Sequence, residues 1–391
     1  MASTSSAAID IPRHIRYFLY CLRTLPTPYT SLDTNRLTVA YFCVSGLDLL
    51  GALDKVDAPA LIRWIYSQQL RRPEGAPADE WLGGFRGAFL FGAPFSGESG
   101  LPATSAYDTG HIAMTYTALA TLLILGDDLS GVDRAATLRH VRALQQADGS
   151  FRAFDGGESD MRFVYCAAAI CAMLRDGGGA GEDLGEEGSS LEWEGMDAAL
   201  ASRYVLGSQA YDGALGLGPG MESHGGSTYT GLSALALMGY LPQLQKIDSA
   251  IFWCKARQIG GFQGRPNKDE DTCYSFWIGA SLHLLGAGSL IDANAVGCFA
   301  QCCEFVKGGL AKVPGNHPDV LHSYFALAGL SLTNSQPGLR PLDPRFGMSV
   351  RACEAAGLRP WAPAENAARL HGGERLAPPP AACEPCEEEG S

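Results

Sequence analysis

The chain has 391 residues, 46% apolar and 18% charged, with 29 basic against 42 acidic side chains and a net charge of −13. That is enough apolar material for a sizeable core, in one large domain or two average ones. The acidic balance excludes a general nucleic-acid binder, because phosphate backbones need clustered positive charge, so any anion site must be local.

No uninterrupted apolar run reaches membrane-spanning length, and the first ten residues lack the apolar stretch of a signal peptide. The expectation is a cytoplasmic protein with no stable membrane insertion. Its twelve cysteines then read as reduced thiols, mostly buried.

Residues 1–10 are expected to be flexible. From Ile11 to Val44 the apolar spacing is helical, through Ile15, Phe18, Leu19 and Leu22, then Leu37, Ala40, Tyr41 and Val44. A further helix, Ala58 to Gln69, precedes a polar loop. An internal repeat follows. Each copy has a Gly-rich turn, a polar loop and an apolar helix. The turns are Gly83-Gly84-Phe85, Gly149-Ser150-Phe151, Gly213-Ala214-Leu215, Gly260-Gly261-Phe262 and Gly308-Gly309-Leu310. The helices align on Tyr116, Tyr165, Tyr229, Phe276 and Tyr324, with steps of 49, 64, 47 and 48 residues. The long step contains a Gly- and Glu-rich surface insert at about 176–197. The tail, 366–391, is Pro-rich and then acidic, and is expected to be disordered. Its Cys383 and Cys386 are a weak metal signal.

A helix–loop–helix unit of this length cannot bury its own apolar face, so neighbours must stack. Five copies plus the N-terminal helices give about six hairpins. The expected fold is all-α, a six-hairpin α–α barrel with a central cavity, as a single domain over 11–365. Closure would bring the loop–helix junctions to one end. Those junctions carry Asp108 and His111, then Asp160 and Arg162, then Glu222 and His224. The fourth carries Arg265, Lys268, Asp271, Cys273 and Tyr274, and the fifth Lys312, His317, Asp319 and His322.

Two chemistries compete with plain structural readings there. Asp271 and Cys273, with His322 at the matching level of the next copy, would give a metal three ligands and leave one position open. They are equally a capping acid, a buried thiol and a core histidine. His224, Arg265, Lys268 and Tyr274 could surround a diphosphate through charge-assisted hydrogen bonds. Arg265 and Lys268 could instead pair with Asp269 and Glu270 in solvent. The acidic run 269–271 also suggests magnesium or a terpene-cyclase acid, although a second acidic cluster is not evident. Repeat aromatics such as Phe42, Tyr116, Tyr165 and Trp277 read as core or as a greasy wall.

Five motifs together carry a family resemblance. They are Gly264-Arg-Pro-Asn-Lys268 with Asp271-Thr-Cys273-Tyr-Ser-Phe-Trp277, and Glu222-Ser-His224-Gly-Gly-Ser. Asp160-Met-Arg162-Phe-Val-Tyr-Cys and Tyr107-Asp-Thr-Gly-His111-Ile-Ala-Met-Thr-Tyr116 complete the set. From roughly His14 to Leu332 the chain resembles the β subunits of protein prenyltransferases, and among them the type I geranylgeranyl class.

The resemblance implies an α–α barrel wrapped by a separate helical α subunit. Asp271, Cys273 and His322 would hold one zinc ion. His224, Arg265, Lys268 and Tyr274 would meet the diphosphate of geranylgeranyl diphosphate. The acceptor would be a protein, such as a small GTPase, ending in a Cys-aliphatic-aliphatic-X (CaaX) box with X usually Leu. The lipid pocket would comprise Thr38, Phe42, Tyr116, Arg162, Tyr165, Trp277 and Leu321, and the peptide pocket Thr34, His111, Ala113 and Phe163. Thr38 stands where the farnesyl class has Trp, and Leu321 where it has Tyr. Lys312 stands where that class has an acidic magnesium ligand, so turnover without magnesium is expected. The rival readings are a farnesyl or Rab-type β subunit, a terpene cyclase, and a non-catalytic peptide-binding scaffold.

Overall fold

The computed structural model describes residues 8–72, 75, 77–88, 109–175 and 193–362. Tyr107 and Asp108, most of the insert, and the tail with Cys383 and Cys386 lie outside the described residues.

Twelve helices form six consecutive pairs. They are α1 (Ile11–Arg23) with α2 (Arg36–Leu49), α3 (Ala58–Ser67) with α4 (Ile112–Ile124), and α5 (Arg134–Leu144) with α6 (Met161–Met173). Then come α7 (Ala198–Gly207) with α8 (Gly225–Met238), α9 (Ile247–Lys255) with α10 (Tyr274–Leu284), and α11 (Ala293–Cys302) with α12 (Val320–Leu332). The helical stretch expected over 11–44 is two helices. A 3-10 segment, Thr27–Asn35, separates them, because Pro26 cannot continue α1.

Composition sorts the helices into two layers. Even-numbered helices are buried on nearly every side, as in Ile112 and Met114–Ile124 of α4. Odd-numbered helices bury only a stripe, such as His14, Phe18 and Cys21 on α1. The even helices pack each on the next, and α12 packs back on α2, so the inner ring closes. At the α10–α12 contact a Cβ on Gly329 would come within 2.5 Å of Ser275. Only glycine allows that approach.

Single side chains tie the outer layer together. After α3, α5, α7 and α9 stand Gln69, Gln145, Gln209 and Gln258. Their amide oxygens accept the N–H of Asp133, Asp197, Lys246 and Asp292, at the start of the next outer helix (2.8, 2.8, 3.3 and 3.0 Å). At the closing junction Glu304 does the same for the Asp10 N–H at 2.9 Å, and lies 3.1 Å from Nε2 of buried His14. Asp10 is thereby anchored, and Ile9 donates its N–H to Gln336 Oε1 at 3.0 Å, two residues ahead of the expected start of the barrel. The α1–α3 junction has no such residue, since α1 runs into Thr24, Leu25 and Pro26.

The repeat aromatics meet on the axis. Tyr41, Tyr116, Tyr165, Tyr229, Phe276 and Tyr324 each come from one inner helix and are buried. Neighbouring ring centroids lie 4.8 to 5.7 Å apart at Tyr324–Tyr41–Tyr116–Tyr165–Tyr229–Phe276. Four residues further along, the same face carries Ser45, Ala120, Ala169, Ser233, Ala280 and Ala328. That small ring leaves room for a C-terminal hairpin, β3 (Leu342–Asp343) with β4 (Met348–Ser349).

The hairpin turn plugs this end of the barrel. Tyr116 donates to Phe346 O (2.7 Å), Tyr41 to Gly347 O (2.8 Å), and Tyr324 also to Gly347 O. Gly347 has φ +60, and a Cβ there would meet three tyrosine hydroxyls within 3.5 Å. Buried Asp48 holds the flanks through Arg340, Ser349 and Arg351. On the other side of the aromatic ring, Phe42, Trp277 and Phe325 pack together at 5.1 and 5.5 Å yet stay partly accessible. Among the described residues the interior is therefore closed at the hairpin and open at the opposite end.

Candidate active site

At the open end every inner helix starts. The inner-helix N–H groups of Leu37, Ile112, Met161 and Gly225, and that of Thr272 just before α10, donate to the next copy's turn, on Gly87, Ala153, Leu217, Gly264 and Lys312, at 2.8 to 3.0 Å. These bonds hold neighbouring helix starts at one level. The residues singled out by sequence are mostly their caps. His111, Asp160, His224 and Asp319 accept the N–H of Ala113, Arg162, Gly226 and His322 at 3.1, 2.9, 3.0 and 2.9 Å. The positive ends of several helix dipoles thus converge on one mouth, which favours an anion there.

Asp271, Cys273 and His322 come together. One ligand atom from each lies within 4.8 Å of the others. Asp271 Oδ1 is 3.4 Å from His322 Nε2 and accepts the Cys273 N–H at 2.9 Å. Thr272 between them is pinned to the fifth copy through Lys312 O and Ala311 O, which brings Lys312 Nζ to 3.7 Å from Asp271 Oδ2. Asp319 supplies a function the sequence did not reveal. One oxygen caps α12, and the other takes the His322 Nδ1 proton at 2.6 Å. When the ring is neutral, that selects the tautomer whose Nε2 lone pair faces Asp271 and Cys273.

The proton affinities of the three groups follow from their burial and from one another. Burial pushes the Cys273 thiol well above its ordinary pKa, and the Asp271 charge adds to that. Burial alone would lower His322, but its hydrogen bonds to Asp271 and Asp319 outweigh it and raise it to about 9. Burial likewise opposes the Asp271 charge, yet His322 and Cys273 together hold that carboxyl below its usual range. Buried acid, thiol and imidazole on one focus, with an oriented imidazole, suit a borderline-soft divalent metal.

Beside this cluster, Tyr274 Oη lies 2.9 Å from His224 Nε2. His224 Nδ1 already accepts from Gly226, so Nε2 carries the proton and Tyr274 keeps its own O–H free to donate. Burial, then the Arg265 charge, lowers the His224 pKa and keeps the ring neutral. Arg265 reaches Glu222 at 2.8 Å with both side chains largely exposed. Lys268 is exposed after Asn267, whose φ of 63 turns the chain. Glu270, flanking this loop, points away and accepts the Gly260 N–H at 2.6 Å.

The remaining expected residues fall in two tiers. Three residues before the aromatic ring, the inner helices carry Thr38, Ala113, Arg162, Gly226, Cys273 and Leu321. Thr38 Oγ1 donates to Met114 Sδ at 3.2 Å. Arg162 is held by Asp160 (2.6 Å) and Glu158 (3.1 Å), 5.1 Å above the Phe163 ring. His111 packs edge-on to Phe163 at 6.2 Å, and Thr34 is exposed at the end of the 3-10 segment. Tyr116 and Tyr165 sit lower, with their hydroxyls bonded to each other at 3.0 Å. They form the floor of the interior.

Residues 9–348 match the family model of the prenyltransferase alpha-alpha toroid domain. The chain belongs to this family. It is 42% identical over 364 residues to the geranylgeranyl transferase type-1 subunit beta of Arabidopsis thaliana, covering 90% of this chain and 92% of that one. The subunit of the same name from Dictyostelium discoideum is 36% identical over 88% of this chain and 97% of its own length. The farnesyltransferase subunit beta of Schizosaccharomyces pombe is 30% identical, over 83% and 78%. A solved structure of Candida albicans protein geranylgeranyltransferase-I has the same fold, with a TM-score of 0.75 at 24% identity, over 90% of this chain and 98% of that one. The all-α barrel expected from the repeat is thus the family's toroid. The ten described cysteines are free, and eight of them are buried. Among the described residues no helix is long and apolar enough to cross a membrane.

Proposed function

We propose that this chain is the catalytic β subunit of a type I protein geranylgeranyltransferase. With a helical α subunit it transfers the geranylgeranyl group from geranylgeranyl diphosphate to the Cys thiol of acceptors ending in Cys-aliphatic-aliphatic-X, with X usually Leu. The observation that carries this reading is the Asp271–Cys273–His322 cluster, with Lys312 and the His224–Tyr274 pair beside it, at the convergence of the inner-helix starts.

Zinc held by Asp271, Cys273 and His322 would supply an acceptor thiol already deprotonated at neutral pH. The other work falls to the chain. His224 orients Tyr274, whose O–H donates to a diphosphate oxygen. Arg265 leaves exposed Glu222 for the same anion, and Lys268 adds a further cation. As the sulfur–C1 bond forms and the C1–oxygen bond breaks, negative charge moves onto the leaving diphosphate. Donors already in place there stabilise the transition state more than the ground state. Lys312 stands beside Asp271 with its ammonium available to the same oxygens, which supports turnover without magnesium. In this reading Thr38 and Leu321, both partly buried, would leave room for a twenty-carbon chain where bulkier side chains would not.

The test is donor and acceptor competition with the purified heterodimer. Geranylgeranyl diphosphate should outcompete farnesyl diphosphate, and an acceptor ending in Leu should outcompete one ending in Ser. A preference for the fifteen-carbon donor would overturn the reading.

A further inference from the structure

The α1–α3 junction, which lacks the glutamine tie, holds a groove of about 420 Å³ on the outside of the barrel. This volume lies within the range of small-molecule sites, about 300–1,000 Å³. Because the two outer helices are not tied, the outward face of α2 forms the groove's floor with Val39 and Ala40. Leu19 and Leu22 of α1 line one wall, and Leu61 and Trp64 of α3 the other. None of these residues belongs to the site described above.

Three basic side chains, Arg23, Arg36 and Lys55, and one acid, Asp57, line the groove. Arg23, the last residue of α1, and Arg36, the first of α2, flank its mouth-side end. Lys55 lines the other end, near the start of α3, and is paired there with exposed Asp54 at 3.2 Å. Arg23 has no ion-pair partner among the described residues. Arg36 meets Asp33 in an exposed pair, which is worth little and is easily exchanged. Asp57, which caps the Ala60 N–H at 3.1 Å, keeps its negative charge; it precedes α3, as Lys55 does, and so lies away from Arg23 and Arg36. Residues 11–72 hold eight basic against four acidic side chains in a chain of net charge −13.

An apolar trough ending in two guanidiniums is complementary to an apolar chain with an anionic head. We infer that the groove is a second, weaker site for a prenyl diphosphate, with the chain between α1 and α3 and the diphosphate at Arg23 and Arg36. This rests on the donor chemistry proposed above. It gives the protein a way to hold donor outside the barrel at high donor concentration.

The test is equilibrium dialysis of the heterodimer with radiolabelled geranylgeranyl diphosphate, without acceptor and below its micelle concentration. Two equivalents should bind. Arg23→Glu should weaken the second by about ten-fold, Ala60→Trp should abolish it by filling the trough, and both should leave the first unchanged. Lys268→Ala should weaken the first and spare the second. A single equivalent, as expected if the partner subunit or a second copy covers the groove, overturns the inference while leaving the proposed function intact. A second equivalent indifferent to both groove variants also overturns it. No bound equivalent at all overturns both readings.

Discussion

Asp319 is the residue whose removal tests the architecture of the site most finely, because its two oxygens do separable things. One caps α12 at the His322 N–H, and the other holds the His322 ring proton. Asp319→Ala loses both. Loss of an N-cap costs about 0.5–2 kcal/mol of stability. Loss of the partner that orients a ligating histidine costs about 10- to 100-fold in metal affinity, or roughly 1.4–2.7 kcal/mol. Asp319→Asn separates the two. Asn caps as well as Asp, but a neutral amide is a weaker partner for an imidazole that must stay a strong donor. The assay is zinc competition against a chromogenic chelator on the heterodimer, with thermal unfolding measured in parallel. Asp319→Ala should fall in both readouts, and Asp319→Asn mainly in zinc affinity. An Asp319→Ala protein that binds zinc within two-fold of the parent would refute the positioning role.

Three other outcomes follow from the same geometry. Thr38→Trp fills the tier above the aromatic floor and should shift the kcat/KM ratio toward farnesyl diphosphate by about 10- to 100-fold, and unchanged lipid preference counts against the pocket. Lys312→Ala should lower kcat by about 10² or more at saturating zinc, with millimolar magnesium restoring part of it. A parent enzyme already dependent on magnesium contradicts the role given to Lys312. Burial, opposed in part by Glu304, holds the His14 pKa below its ordinary value. The unfolded chain therefore takes up that proton first, so this contribution to stability is present above about pH 6.5 and is lost as pH falls through the lower folded-state value. His14→Asn should flatten the decline in unfolding free energy between pH 7 and 5, measured by denaturant titration, by at most about 1.4 kcal/mol per pH unit. An unaltered slope would show that the closing seam does not sense pH.

Much of this molecule is legible from its residues, and the rest is hidden for physical reasons. The Gly turns and the aromatic period declare the repeat because each copy must solve the same packing problem. The first copy escapes the alignment because 75 residues separate Tyr41 from Tyr116. The small residue four places after each aromatic is visible as composition, but its purpose is not, since the hairpin that fills the space comes from two-residue strands with no periodicity to read. Gln69, Gln145, Gln209 and Gln258 recur ahead of the first four Gly turns, but the backbone N–H that each one accepts lies in the next copy and cannot be read from the recurrence. Asp271, Cys273 and His322 are recognisable as donor types, but their convergence depends on ring closure between distant copies. Asp319 was visible as a polar junction residue. Only coordinates reveal that it serves the backbone and the imidazole together.

The central claim is that an aspartate and a thiol from the fourth copy and an imidazole from the fifth share one ion. Elemental analysis of the purified heterodimer tests it most directly, comparing the parent with Cys273→Ala and His322→Ala. The account predicts one zinc per chain in the parent and close to none in either variant, with both subunits still associated. Active parent enzyme free of zinc, or variants that retain it in full, would contradict the account.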